Sequence, residues 1–167
     1  MEGLMQKPLC VILMGSVADK EVAQTIIEEL SFFGIEYVVR IGSAHKTPKH
    51  LLDMLSEYEN MQCPKVYITI AGRSNALSGF VDGSVLSPVI ACPPISDHFA
   101  GADVFSSLRM PSGIAPSLVL EPKNASLFVA KIFSLYDEQI LANLVAYKKK
   151  HTDRVLLDDI EIQKQNG

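Results

Sequence analysis

The chain has 167 residues, 48% hydrophobic and 20% charged, enough apolar material for one buried core and too ordered a composition for wholesale disorder. Its net charge of −4 leaves no electrostatic footprint for nucleic acid. No apolar run approaches the roughly 18 residues of a membrane span.

The opening residues are polar, and the apolar run that follows stops at Gly15, so no secretory signal is read and a cytoplasmic protein is expected. Residues 8–14 form a continuous apolar run, the pattern of a central parallel strand buried on both faces. From 19 to 33 the stripe Val22, Ala23, Ile26, Ile27 and Leu30 predicts a helix that Gly34 ends. A second strand is expected over 35–41, and a second helix over 48–59 with Leu51, Leu52, Leu55 and Tyr58 on one side. Thr47-Pro48 reads as an N-cap followed by proline at the first helical position.

Residues 65–71 are β-branched and bounded by Pro64 and Gly72, which predicts a third strand. A short helix follows over 75–82, weakened by Gly79. A fourth strand is expected over 88–92, a helix over 102–109, a short fifth strand over 117–120 and a helix over 124–134. From Asp137 a further helix runs to the basic Lys148-Lys149-Lys150, and a charged segment closes the chain. Strands alternating with helices predict a doubly wound parallel sheet with helices on both faces. One domain over 1–167 is expected, with its core at about 8–136 and residues 137–167 as a helical arm suited to packing on another subunit.

Three strand-to-helix loops carry the chemistry. At the carboxyl edge of such a sheet ligands bind, and helix N-termini attract anions. After the first strand come Gly15, Ser16, Val17 and Asp19. Ser16 and Asp19 have capping-box spacing, and they equally suit a phosphate and sugar hydroxyls. After the second come Ser43, His45 and Lys46, placing hydroxyl, imidazole and ammonium groups together. After the third come Gly72, Arg73, Ser74, Asn75 and Ala76, where Arg73 can clamp an anion and Ser74 or Asn75 can cap the helix. Asp97 and His98 suit a cleft wall or a surface loop equally, while His50 and His151 read as solvated or packing residues. The scattered histidines and the cysteines Cys10, Cys63 and Cys92 lack metal-ligand spacing.

In this order, Met14-Gly15-Ser16, Ser43-Ala44-His45-Lys46-Thr47-Pro48, Ala71-Gly72-Arg73-Ser74-Asn75, Cys92-Pro93-Pro94 and Ser107-Leu108-Arg109-Met110-Pro111-Ser112-Gly113 resemble the phosphoribosylaminoimidazole carboxylase family of purine biosynthesis. The resemblance implies a flavodoxin-like three-layer α/β/α sandwich with a five-stranded or slightly larger parallel sheet, assembled as an octamer. It implies no metal and no cofactor. One branch of the family isomerises N5-carboxyaminoimidazole ribonucleotide; the other carboxylates aminoimidazole ribonucleotide with carbon dioxide. The isomerising branch carries a small-residue run with a His where this chain has Arg73-Ser74-Asn75-Ala76-Leu77-Ser78-Gly79, so the resemblance favours the carbon-dioxide branch.

The chemistry asks for a side chain that exchanges protons near neutral pH, and His45 alone among the histidines stands in a converging loop. Ser16, Val17, Asp19, Ser43 and Lys46 are expected at the phosphoribosyl group, and residues 72–76 at the base and carboxyl group. A nucleotide-binding module without turnover is the alternative of another class, because fold alone does not fix function. A receiver would need acidic residues where this chain has Gly15-Ser16, and a flavin carrier would need aromatic residues in these loops.

Overall fold

The computed structural model describes residues 6–95 and 98–165, with the backbone alone for His98 and Phe99. Its sheet is all-parallel, built from β1 (Leu9–Met14), β2 (Glu36–Ile41), β3 (Lys65–Ile70), β4 (Val89–Ala91) and β5 (Ser117–Leu118) in the order β2-β1-β3-β4-β5. The helices are α1 (Lys20–Phe33), α2 (Pro48–Glu59), α3 (Ala76–Asp82), α4 (Pro122–Phe133) and α5 (Glu138–Gln165). This strand order is that of the flavodoxin-like fold, with its reversal at β1.

β1 is buried along its whole length because both faces are covered. Cys10, Ile12 and Met14 join Val66, Ile68, Ile70 and Ile90 against α1, α4 and the start of α5. Leu9, Val11 and Leu13 face the other way, with Tyr67 and Val89, onto α2 and α3. Alternation along each strand thus feeds two cores, so a strand buried on both sides must be apolar throughout. Parallel register aligns Met14 with Ile41 on one side and Ile70 on the other, so the three strands end level.

Local sequence sets the helix ends. Gly34 stops α1 at φ +74°, where its own N–H and that of Ile35 return to the Leu30 carbonyl in a Schellman-type turn. Gly79 sits inside α3 despite its poor helix propensity. A Cβ there would lie 3.1 Å from the Met110 sulfur, so the residue allows the 109–113 loop to close on the helix.

The C-terminal half departs from expectation in two places. The segment expected to be a helix over 102–109 is a run of 3₁₀ turns over His98–Ser107, and Arg109 lies beyond it. Just before the expected span, Ala100 and Gly101 have φ of +52° and +77°, so the turns over His98–Ser107 are not one regular helix. The terminal helix does not stop near Lys150 but runs to Gln165. Lys149 with Asp153 and Arg154 with Asp158 pair at i,i+4, and Gln163 donates to Asp159, which supports a helix whose second half touches no core. Its first half is docked by buried Ile140 and Leu144, by Asn143 Nδ2 donating to the Phe33 carbonyl at 3.0 Å, and by Tyr147 against Phe33. His151 is exposed and rests on the Tyr147 ring.

At the opposite edge of the sheet from the functional loops, Glu59 closes the fold. Its carboxylate accepts the Tyr67 hydroxyl at 3.0 Å, the Ser87 hydroxyl at 2.9 Å and the Leu86 N–H at 3.0 Å, tying the end of α2 to β3 and the turn before β4. Burial pushes this carboxyl up, but the three donors together with nearby Lys65 outweigh it and hold it below the usual carboxylate range. A carboxyl depressed in the folded state stabilises above its unfolded pKa, and that contribution is lost as pH falls through the folded value. Glu59→Gln is expected to lower stability at neutral pH by about 1–2 kcal/mol. In thermal unfolding, the gap to wild type should close only on acidification through the folded-state pKa.

Candidate active site

The level ends of β1, β2 and β3 deliver three loops to one cleft of about 570 Å³, lined by Gly15, Ser16, Asp19, Ser43, His45, Lys46, Gly72, Arg73, Ser74 and Pro94 among others. Each loop is shaped by its own hydrogen bonds, and these decide which groups stay available.

The first loop is a complete capping box. Ser16 Oγ accepts the Ala18 N–H at 3.3 Å, and Asp19 Oδ2 accepts the Ser16 N–H at 2.9 Å. Both residues nevertheless line the cleft. The cap occupies only one oxygen of the Asp19 carboxylate among the described residues, and Asp19 is 9% exposed. Capping and ligand contact are therefore compatible here. Val17, also expected at the substrate, is 71% exposed and stands outside the cleft lining.

The second loop folds around Ser43. Its N–H donates to Thr47 Oγ1 at 2.9 Å, and its hydroxyl accepts the Lys46 N–H at 3.2 Å. Thr47 holds the N-cap position of α2 but its hydroxyl turns back to this loop and makes no forward cap bond. Its chemistry is spent on the turn that presents His45 and Lys46, both solvent-exposed on the cleft rim. His50, in the first turn of α2, is exposed and lies outside the cleft lining.

The third loop is the strained one. Arg73 has φ +61°, a left-handed conformation costing a non-glycine residue about 1–2 kcal/mol. Its guanidinium, like the Lys46 ammonium, is in no ion pair among the described residues, so both cations are open to an anion. Ser74 is exposed at the same wall. Asn75 and Ala76 stand outside the cleft lining. Asn75 is 4% exposed, its Oδ1 caps α3 through the Ser78 N–H at 3.2 Å, and its Nδ2 donates to Ser107 Oγ at 2.8 Å. Pro94, from the Cys92-Pro93-Pro94 motif, and Ile95 line the cleft from the loop after β4. Ile95 is an apolar loop residue with no spacing signal in the sequence that would single it out. Asp97 lies outside the described residues, as does the His98 side chain.

Thiol chemistry is not offered by the neighbouring cysteine. Burial, with Glu121 nearby, pushes the Cys92 thiol up to about 12, so it stays protonated and inert at neutral pH. Among the described residues no three His, Cys, Asp or Glu side chains are grouped to hold a metal ion.

Residues 9–154 match the profile of the AIR carboxylase family. The chain belongs to the AIR carboxylase family. A phosphoribosylaminoimidazole carboxylase from Treponema denticola is 59% identical over 95% of this chain and 99% of its own length. One from Archaeoglobus fulgidus is 51% identical over 92% and 84%. The human bifunctional carboxylase/succinocarboxamide synthetase is 40% identical over 81% of this chain, covering 32% of that longer protein. A crystal structure of Treponema denticola PurE superposes with a TM-score of 0.91 at 60% identity, over 93% of this chain and 98% of that one. Family membership and the flavodoxin-like sandwich therefore agree. No helix of the described residues is long and apolar enough to cross a membrane.

With its side chain committed at both ends, Asn75 anchors the start of α3. Asn75→Ala removes the α3 cap and leaves the buried Ser107 hydroxyl short of a donor, so chemical denaturation should show a loss of about 1–3 kcal/mol.

Proposed function

We propose that the protein carboxylates 5-aminoimidazole ribonucleotide at C4 with carbon dioxide, reversibly, giving the 4-carboxy ribonucleotide of purine biosynthesis. The observation that carries this reading is the convergence of His45, two cations unpaired among the described residues and three hydroxyl- or carboxylate-bearing loops on one cleft in a member of this family. The chain acts as one carboxylase domain.

The phosphate is held by the Ser16 and Ser43 hydroxyls and by Lys46, beside the backbone N–H groups at the starts of the helices. Asp19, an acceptor when ionised, suits the ribose hydroxyls. Gly72, Arg73 and Ser74 hold the base and the incoming carboxyl group, where a guanidinium and a hydroxyl can meet developing carboxylate charge.

C4 of aminoimidazole is enamine-like and electron-rich. Its electron pair forms the new bond to the carbon of carbon dioxide as one C–O π bond opens to a carboxylate. C4 then bears both a proton and the carboxylate, and loss of the proton restores the aromatic ring. His45 takes that proton, and in the reverse direction returns it. No ATP enters this balance. Carbon dioxide as the carboxyl donor is supported by Arg73-Ser74-Asn75, which stand where the isomerising branch has small residues and a His. The exposed apolar residues along the second half of α5, among them Val155, Leu156, Leu157 and Ile160, suit burial against further copies of this chain in a homo-octamer. A cytoplasmic setting goes with that role.

General acid–base groups contribute about 10²–10⁴-fold to rate. His45→Asn is therefore expected to bind aminoimidazole ribonucleotide with near-wild-type affinity, read by calorimetry, while losing turnover by that order in both directions. Turnover close to wild type in this variant would remove His45 from the proton transfer.

A further inference from the structure

The loop carrying Gly72, Arg73 and Ser74 does not fix its own shape. A left-handed non-glycine residue persists only where surrounding structure over-determines it. Here the constraint comes from about 30 residues later in the chain. The Arg73 N–H donates to Asp103 Oδ2 at 3.2 Å. The Asn75 N–H donates to Ser106 Oγ at 3.0 Å, and that hydroxyl donates in turn to the Asp103 carbonyl at 2.7 Å, with the Arg73 carbonyl at 3.2 Å as its other acceptor. Ser107 completes the attachment through Asn75 Nδ2.

These tethers are not equivalent. Asn75 is held additionally by its own cap and by burial, whereas the strained Arg73 backbone has a single donor, and Asp103 accepts it. Asp103 is half-buried and stands on the wall of a second, smaller apolar cavity of about 250 Å³. That cavity meets the cleft through Ala71, Gly72, Arg73, Pro94 and Ile95, and Asp103 does not line the cleft itself. Releasing the Arg73 N–H lets the residue relax to a right-handed or extended conformation, which re-aims both its guanidinium and Ser74.

We propose that Asp103 is a positioning residue for this site: it locks Arg73 in the left-handed conformation from behind the cleft and so aims Arg73 and Ser74 at the substrate. This rests on the reading of residues 72–74 as the part of the site that holds base and carboxyl group. The carboxylate works as a hydrogen-bond acceptor, so an amide oxygen can replace it. A glycine at 73, which occupies the left-handed region freely, makes the tether unnecessary.

The test is steady-state kinetics of the full chain with aminoimidazole ribonucleotide and carbon dioxide, alongside thermal unfolding. Misplacement by about 1 Å can cost about 10²-fold, so Asp103→Ala is expected to lower kcat about 10–100-fold with a smaller change in KM. Asp103→Asn should stay within about threefold of wild type, because the acceptor is kept. On an Arg73→Gly background, Asp103→Ala should add no more than about a twofold loss, the non-additivity of two changes acting through one element. Should Asp103→Ala alone not fold, the double variant is still expected to fold, since glycine removes the strain. Unchanged kcat in Asp103→Ala, equal damage from Asn and Ala, a full multiplicative loss on the Arg73→Gly background, or an unfolded double variant would each overturn the proposal. Failure of the underlying reading looks different: Arg73→Gly and Ser74→Ala would then each keep wild-type kinetics.

Discussion

The site depends on one constraint, the reversal of strand order at β1. The chain leaves β1, forms β2 on one side, then crosses back to form β3 on the other, so β1 becomes the interior strand between them. α1 covers one face and α2 the other. The level register of Met14, Ile41 and Ile70 then brings three loop starts to the same height around that opening. A shift of one residue in either pairing would send each side chain into the opposite core, so packing on both faces enforces the alignment that the chemistry uses.

The three loops solve the same problem by different means. The first two are self-sufficient turns, in which Ser16 with Asp19, and Ser43 with Thr47, satisfy backbone donors within a few residues. The third carries strain and borrows its order from the segment around Asp103, Ser106 and Ser107. This division matters chemically. In the proposed reading, the phosphoribosyl end of the ligand meets preformed local turns, while the reacting end meets groups whose aim depends on a long-range contact. The loop after β4 closes the same wall with Pro94 and Ile95.

Much of this was legible in the sequence because its causes are local. β1 and β3 could be read from unbroken apolar runs, since burial on both faces leaves no place for a polar residue. α2 begins at Pro48 and ends at Glu59 as the proline and the leucine stripe require. Ser16 and Asp19 announced a capping box by spacing alone, and the structure forms it. What escaped was set by partners distant in the chain. Thr47 looked like a cap, yet its hydroxyl serves Ser43. Asn75 read as a cap or a ligand residue, and it forms the cap, but its further bond to Ser107, 32 positions away, could not be read. The 3₁₀ segment over His98–Ser107 resisted reading because it is held by bonds from Asp103, Ser106 and Ser107 to the distant loop at residues 73–75 and not by a periodic stripe. The length of α5 was missed because charge pairs, not apolar spacing, sustain its second half.

Conversion of aminoimidazole ribonucleotide as a function of dissolved carbon dioxide, without ATP, tests the assigned chemistry most directly. Formation of the 4-carboxy ribonucleotide is expected to begin without any other co-substrate and to rise with carbon dioxide concentration. No consumption of aminoimidazole ribonucleotide at any carbon dioxide level, together with conversion of the N5-carboxy compound in carbon-dioxide-depleted buffer faster than its spontaneous breakdown, would contradict carbon dioxide as the carboxyl donor.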